Sequence, residues 1–271
     1  MEPEIIFLGT AGDVILAGKQ ERASGGIILK TAGLQFHIDP GPGALTMAKA
    51  LNVNIRENVA VFVTSSNWIQ SNDVNAVISA MTYEGMDKTG VLITNKTSFN
   101  GIRNNDPIIT KQTKRLVEKA ICFESEAKIG INDVEVNTLY ARHGKERPIG
   151  LKFKTPEFIL SYTGVSELNN LVMEAHKGSK IIIINCKNPI GIEERGYMNS
   201  EDVIELLKKV KPKLAIITGF GIKMIQSDPL YEAREIQRAS KVQVIAARDG
   251  LSINPVSYSA NLRQKTLSLY K

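Results

Sequence analysis

The chain has 271 residues, of which 43% are hydrophobic and 23% charged, as in a globular protein with a sizeable core rather than a disordered chain. Its longest apolar runs reach only strand length, which argues against a membrane-spanning helix of about 18 residues or more. The net charge of +6 permits an anionic partner, but it is spread along the chain without interleaved aromatic residues, a pattern that does not favour a nucleic-acid-binding surface.

Short apolar runs, mostly β-branched and bounded by Gly, Pro, Asn or Lys, predict strands along the whole chain. In chain order these runs are Ile5–Leu8, Ile27–Leu29, Leu34–Ile38, Val59–Val63, Val91–Thr94, Val134–Thr138, Leu151–Phe153, Phe158–Tyr162, Lys180–Ile184, Leu214–Thr218 and Val242–Ala246. Strands dominate the first half of the chain and alternate with helices in the second.

Apolar residues at spacings of three and four predict helices over Asp73–Met81, Ser166–His176, Ser200–Val210 and Pro229–Ser240. In the third of these, Ser200 is the expected N-cap and lysines close the last turn. No internal repeat and no linker rich in Gly, Pro or Ser divides the chain. We therefore predict one α/β domain over residues 1–271.

Five segments in order carry a resemblance to a known family. They are Phe7-Leu8-Gly9-Thr10-Ala11-Gly12, Phe36-His37-Ile38-Asp39-Pro40-Gly41-Pro42-Gly43, Val61-Phe62-Val63-Thr64, Ser161-Tyr162-Thr163 and Lys211–Thr218. Over nearly the whole chain they resemble the metallo-β-lactamase superfamily, most closely its ribonuclease Z-like and archaeal metal-dependent hydrolase branch. The resemblance implies an αββα sandwich, in which two packed mixed β-sheets are flanked by helices.

The same resemblance implies where metal ligands would lie. The family binds one or two ions, usually zinc, through His-x-His-x-Asp-His, a later His, a bridging Asp and a final His. Those positions hold Ser65, Asn67, Ile69, Gln70, His143, Val165 and Gly219 in this chain. Only His143 is retained, and the six replacements are weak neutral ligands or carry no ligand at all. We therefore predict a degenerate pocket without metal, and no other cofactor.

Several residues near this pocket have two interpretations. Trp68 either stacks on a ligand in the cleft where the family binds its metal ions or fills the space that those ions would occupy. Asp39 is expected to hold the Gly-Pro-Gly turn through backbone hydrogen bonds. His143 is favoured as a hydrogen-bonded structural residue over a leftover catalytic group. The basic residues Arg142, Lys145 and Arg147 are favoured as exposed loop charge over an anion site.

The function predicted from these residues is a non-catalytic binding, scaffold or regulatory subunit in a homo- or hetero-oligomer. The resemblance adds an active paralogue or an RNA-processing partner, while the sequence identifies no small-molecule ligand. One alternative is a phosphodiesterase-like hydrolase with a rebuilt or metal-free site, for which a Ser65–His143 pair is conceivable. Nucleic-acid binding without catalysis is a third hypothesis. Two isolated cysteines and no secretory signal predict a cytoplasmic protein.

Overall fold

The structure is a computed structural model that describes residues 2–102, 106–144 and 146–259. The strands in these ranges are β1 (Glu4–Gly9), β2 (Ser24–Thr31), β3 (Leu34–Ile38), β4 (Asn58–Val63), β5 (Val91–Asn95), β6 (Lys119–Phe123), β7 (Lys128–Ile131), β8 (Val134–Tyr140), β9 (Ile149–Lys154), β10 (Ile159–Tyr162), β11 (Ile181–Asn188), β12 (Met198–Asn199), β13 (Leu214–Thr218), β14 (Gln243–Ala246) and β15 (Ser252–Ile253).

The helices in the same ranges are α1 (Val14–Gly18), α2 (Ala44–Ala50), α3 (Trp68–Ser71), α4 (Val74–Met81), α5 (Lys96–Asn100), α6 (Thr113–Leu116), α7 (Asn170–Ala175), α8 (Ser200–Val210), α9 (Ile222–Gln226), α10 (Pro229–Ser240) and α11 (Val256–Ser259). Two 3₁₀ turns, Ile55–Glu57 and Tyr83–Gly85, flank the segment from β4 to α4. No helix of the described ranges is long and apolar enough to cross a membrane.

The strands form two mixed sheets built on the same plan. The first sheet has the order β15-β1-β2-β3-β4-β5-β6 and the second β14-β13-β11-β10-β9-β8-β7, with β12 paired to β11 outside this order. In each sheet one half is antiparallel and the other parallel, with the change at β3 in the first sheet and at β10 in the second. The carboxyl ends of the parallel strands therefore collect on one edge of each sheet, where open α/β sheets place their binding sites.

The two sheets pack face to face, and helices cover their outer faces. Between the sheets, the rings of Phe36, Phe62 and Phe153 lie 5.4–6.1 Å apart. Strand β11 is apolar on both faces, because Ile181 and Ile183 point into the inter-sheet core while Ile182 and Ile184 pack under the helices. The helices α2 and α4 cover the first sheet, and α7, α8, α9 and α10 cover the second. This arrangement confirms the predicted αββα sandwich.

The start of α8 corrects one prediction. Ser200 is the first helical residue, and the N-cap is Asn199, whose side chain accepts a hydrogen bond from the amide of Asp202. The Asp202 carboxylate accepts the Asn199 amide in return, which completes a capping box. The helix predicted over Ser166–His176 is shorter than expected and spans Asn170–Ala175. That residues 1–271 form one domain stays a prediction, and residues 260–271 lie outside the described part.

Replacing Asn199 with Ala is expected to lower the free energy of unfolding by about 1 kcal/mol or somewhat more, since it removes the cap that satisfies a helix-terminal amide. The measurement is urea denaturation followed by circular dichroism. The control is Ser200→Ala, which leaves the capping box in place. A larger loss for Ser200→Ala than for Asn199→Ala would contradict the assignment of the cap.

Candidate functional site

Asp39 joins three strand ends at the edge where the two sheets meet. Its carboxylate accepts hydrogen bonds from the backbone amide of Thr64 at 2.7 Å, from the Thr64 hydroxyl at 2.7 Å and from the hydroxyl of Tyr162 at 2.9 Å. Thr64 follows β4 of the first sheet and Tyr162 ends β10 of the second. The carboxylate thus links the sheets to each other. It does not hold the Gly-Pro-Gly turn, which corrects the sequence-based expectation.

Burial dominates the electrostatics of Asp39. The residue is almost wholly buried, and this desolvation raises the pKa of its carboxyl to about 6, although the Thr64 and Tyr162 donors pull it in the opposite direction. Burial, together with the nearby Asp39 charge, raises the pKa of the Tyr162 hydroxyl well above its ordinary value.

A polar network extends from Tyr162. The Asn185 amide donates to the Tyr162 hydroxyl at 3.1 Å, while the side-chain oxygen of the neighbouring Gln70 is buried without a hydrogen-bond partner. A chain of hydrogen bonds thus runs from Asn185 through Tyr162 to the Asp39 carboxylate.

The segment after Thr64 uses its polar side chains locally. The Ser65 hydroxyl accepts the Asn67 amide at 3.0 Å, and the Asn67 side chain caps α3 by accepting the amide of Ile69 at 3.2 Å. These side chains hold the shape of the turn into α3 and are not directed at a shared centre.

Glu146 ties this turn to the loop that carries His143. Its carboxylate accepts hydrogen bonds from the Ser65 hydroxyl at 3.2 Å, from the Ser66 amide and from the Asn95 side chain at 3.2 Å. Asn95 also donates to the carbonyl of Arg147 at 3.1 Å. The loop is therefore fixed to the ends of β4 and β5.

Four of the predicted pocket residues surround one small cavity. Ile69, Gln70, Val165 and Gly219 line it together with Asp39, and its volume is about 40 Å³. This is far below the roughly 300–1,000 Å³ of small-molecule sites, so the cavity offers room for a few water molecules at most. Ile69 is buried and packs with the apolar cluster under the second sheet, which makes this side of the cavity apolar.

Gly219 is closed to a side chain. A Cβ at this position would lie 2.5 Å from Oδ1 and 3.2 Å from Cβ of Asn185, and the backbone has a φ of +67°. A side chain would be strained by this left-handed conformation and would displace Asn185 from Tyr162. The Asn185 side chain therefore takes the space that a side chain at 219, the position resembling the family's last histidine, would need.

His143 lies apart from the small cavity. Its Nδ1 is 2.9 Å from the carbonyl oxygen of Gly196, and its ring packs edge-on against Tyr197 with centroids 4.7 Å apart. Its contacts are those of a structural histidine. Because Ser65 pairs with Glu146 instead, the conceivable Ser65–His143 pair is not formed.

A lysine stands at the mouth of the small cavity. The Lys187 ammonium lies 3.7 Å from the centroid of the Tyr197 ring and donates to Glu194 at 2.6 Å. Both Lys187 and Tyr197 line the cavity. Lys187 is the one basic residue among the described residues that line this cavity.

Trp68 points to solvent. Its side chain is 65% exposed and does not line the small cavity, so it does not fill the space between the sheets. Ile69 and Gln70 occupy that space in its place. A ligand contact by Trp68 stays a prediction.

The residues present do not fit the metal ions that the fold family implies. In the ranges that the structure describes, no group of three or more His, Cys, Asp or Glu side chains could hold an ion. Asp39 is the one carboxylate in the small cavity's lining, and three donors already occupy it. Nearby, Asn185 and Tyr162 are neutral and bonded to each other, and Gln70 offers only an uncharged amide, which makes all three poor zinc ligands.

The sequence did not predict Asn185, Lys187 or Glu146 as residues of this site. A signal existed for the first two, because they follow the apolar run Ile181–Ile184 at the carboxyl end of a parallel strand, where site residues gather. Glu146 offered no such signal, since its partners Ser65 and Asn95 are far away in the chain.

No family model matches the chain. Among curated proteins, an uncharacterized protein of Methanocaldococcus jannaschii is 27% identical over 255 residues, which cover 93% of this chain and 95% of that one. The chain is therefore similar to a protein of nearly the same length.

Solved structures resemble the chain over most of its length. The metallo-β-lactamase fold protein YhfI of Bacillus subtilis has a TM-score of 0.78 at 14% identity and covers 93% of this chain and 99% of its own. Zinc-bound PqqB of Methylobacterium extorquens has a TM-score of 0.68 at 12% identity, with 92% and 99% covered. The short form of human tRNase Z has a TM-score of 0.66 at 11% identity, with 92% and 98% covered. At these identities the likeness shows the fold alone.

Replacing Gly219 with Ala is expected to destabilise the protein by about 1 to 3 kcal/mol more than replacing Gly33 with Ala. Both glycines have positive φ, +67° and +75°, but a Cβ on Gly33 would meet nothing within 4 Å. The backbone strain is thus matched, and the difference reports the collision with Asn185. Chemical denaturation of both variants measures it, and equal losses would show that the site is not closed.

Asp39 is expected to make the protein less stable as the pH rises from about 4 to about 6. Its pKa is near 3.9 in an unfolded chain and about 6 in the folded one, so the folded state binds more protons in this range. The free energy of unfolding then falls as the pH rises, by on the order of 2 kcal/mol. Denaturation at a series of pH values measures this slope.

The Asp39→Asn variant is expected to lack this component of the slope, because an amide does not titrate. Thr64→Val removes a hydroxyl donor that lowers the pKa of Asp39. In this variant the fall of the unfolding free energy should therefore continue to higher pH. A stability difference between the original protein and Asp39→Asn that stays constant from pH 4 to 7 would contradict the assignment.

Proposed function

The chain has the metallo-β-lactamase fold, and from that premise we propose that it works as a metal-independent binding, scaffold or regulatory protein rather than as a hydrolase. In this proposal the fold is kept as a frame, and the chemistry of its metal centre is lost.

One observation carries the proposal. The positions that resemble metal ligands hold side chains that bond locally or offer no ligand. Ser65 and Asn67 shape the turn into α3, and Ile69, Val165 and Gly219 carry no polar side chain. Asp39, the one carboxylate among the described lining residues, already accepts three hydrogen bonds from the ends of β4 and β10. The amide oxygen of Gln70 is left without a partner, but a single neutral amide is a poor zinc ligand.

The hydrolase alternative lacks its machinery in the described ranges. Ser65 is completely buried, and its hydroxyl faces Glu146 rather than a histidine. A buried hydroxyl is poorly placed to attack a substrate, and the cavity beside Asp39 is far smaller than the roughly 300–1,000 Å³ of small-molecule sites. A rebuilt metal site would need three clustered ligands that these ranges do not supply.

We further propose that the protein acts with a partner in the cytoplasm, as a homo- or hetero-oligomer. The resemblance suggests an active paralogue or an RNA-processing partner. The thiols of Cys122 and Cys186 are both free, which fits a reducing compartment. Nucleic-acid binding without catalysis is the less favoured form of the same role, because the charge is dispersed.

The test is the metal content of the purified protein by elemental analysis, combined with a phosphodiesterase assay on bis(p-nitrophenyl) phosphate. We expect far less than one ion per chain and no hydrolysis after addition of zinc or manganese, because the described ranges bring no three metal-binding side chains together.

The control is His143→Ala, which removes the one retained ligand position. Trace metal that is adventitious should be unchanged in this variant. Stoichiometric zinc, iron or manganese that is lost in His143→Ala, or hydrolysis that depends on added metal, would overturn the proposal.

A further inference from the structure

A second cavity, much larger than the first, lies beside the loop that carries His143. Its volume is about 600 Å³, within the usual range of small-molecule sites, and it shares no lining residue with the 40 Å³ cavity. It is bounded by the segment from Lys96 to Ile102, by the end of β6 and by described residues on both sides of position 145, within 140–144 and 146–149. It is therefore distinct from the erased metal centre.

The floor of this large cavity is mostly apolar. Phe123 and Tyr140 line it with half-buried rings, and the buried side chains of Ala141, Pro148 and Ile149 complete the surface. Two aromatic rings at the wall of a cavity favour a flat, apolar or aromatic body over a strongly hydrated one.

Three cations stand at the rim. Arg142 is paired with Glu167 at 2.9 Å, and Lys96 is 3.7 Å from Glu124. Arg147 also lines the cavity, and its exposed guanidinium has no carboxylate partner among the residues that the structure describes. An anion can therefore bind Arg147 without breaking an existing ion pair. Lys145, the third basic residue of this loop, lies outside the described residues.

The carboxylate of Glu146 does not fully neutralise the positive charge of Arg147. The carboxylate of Glu146 lines the cavity but is held by the Ser65 hydroxyl, the Ser66 amide and the Asn95 side chain. These donors turn it toward the turn after β4. The same bonds, with that from Asn95 to the Arg147 carbonyl, fix the backbone that presents the arginine. The arginine is thus carried on a preorganised loop.

We propose that the large cavity binds a small organic anion whose aromatic or other apolar body lies against Phe123 and Tyr140 and whose carboxylate, sulfonate or phosphate group pairs with Arg147. A guanidinium offers such a group two parallel N–H donors. This inference deepens the proposed binding role and rests on it, since it supplies the ligand that a binding protein needs.

The test uses two fluorescent probes that differ in one charged group. 1-Anilinonaphthalene-8-sulfonate carries the anion, and N-phenyl-1-naphthylamine is the same skeleton without it. We expect saturable binding of the sulfonate to the folded protein, about tenfold weaker in Arg147→Ala, because a charged hydrogen-bonded pair is lost. The neutral probe should bind more weakly and should be unaffected by Arg147→Ala. Arg234→Ala, which removes an exposed charge on α10, is the matched control.

A second variant separates this cavity from any other dye site. Ser125 is exposed and lines the cavity, so Ser125→Trp should obstruct part of it without disturbing the core and should strongly weaken sulfonate binding. Binding that is undiminished in Ser125→Trp, or that falls equally in Arg147→Ala and Arg234→Ala, would overturn the inference. The readout is independent of metal content, so a metal-loaded protein that still binds the sulfonate through Arg147 would sink the proposed function but not the site.

Discussion

The buried carboxylate of Asp39 is the constraint on which the arrangement of the site depends. The residue follows β3 with a positive φ of 52°. Its carboxylate accepts hydrogen bonds from the end of β4 and from β10 in the opposite sheet. Desolvating a carboxylate is costly, and three hydrogen bonds offset much of that cost only where their geometry is maintained. The need to satisfy this one group fixes where β4 ends, and with it the path of the turn that begins at Ser65.

Around Asp39 the molecule has two separate spaces of different character. The space beside Asp39 is consumed by internal hydrogen bonds and by Ile69, so it serves cohesion between the sheets. The larger cavity lies instead on the other side of Glu146, and both Arg147 and apolar side chains line it. A single residue, Glu146, forms the boundary, because it is bonded to the turn after β4 and also lines the open cavity. Changes on the open side of Glu146 therefore need not alter the hydrogen bonds of Asp39 that link the two sheets.

The sequence predicted those parts that depend on local pattern. Leu34–Ile38 and Pro229–Ser240 have the predicted bounds, because a buried strand and an amphipathic helix each leave a periodic signal. The edge strands β6 and β7 were missed, since half-exposed strands mix polar and apolar residues. Spacing from the family resemblance placed Ile69, Gln70, Val165 and Gly219, which do share one cavity. The contacts of Asp39 and Glu146 could not be predicted, because their partners come from distant strands and only the packing of the sheets brings them together.

The contact between Gly219 and Asn185 has a consequence for how this site can evolve. A single substitution that placed a histidine at 219 would meet the Asn185 side chain and a backbone suited to glycine, so it would lower stability before any ion could be held. No metal site would offset that loss, because Ile69 and Val165 offer no ligand and the described ranges hold no group of three ligands. A metal site could therefore arise here only through several changes made together, and selection against the first of them would keep the glycine in place.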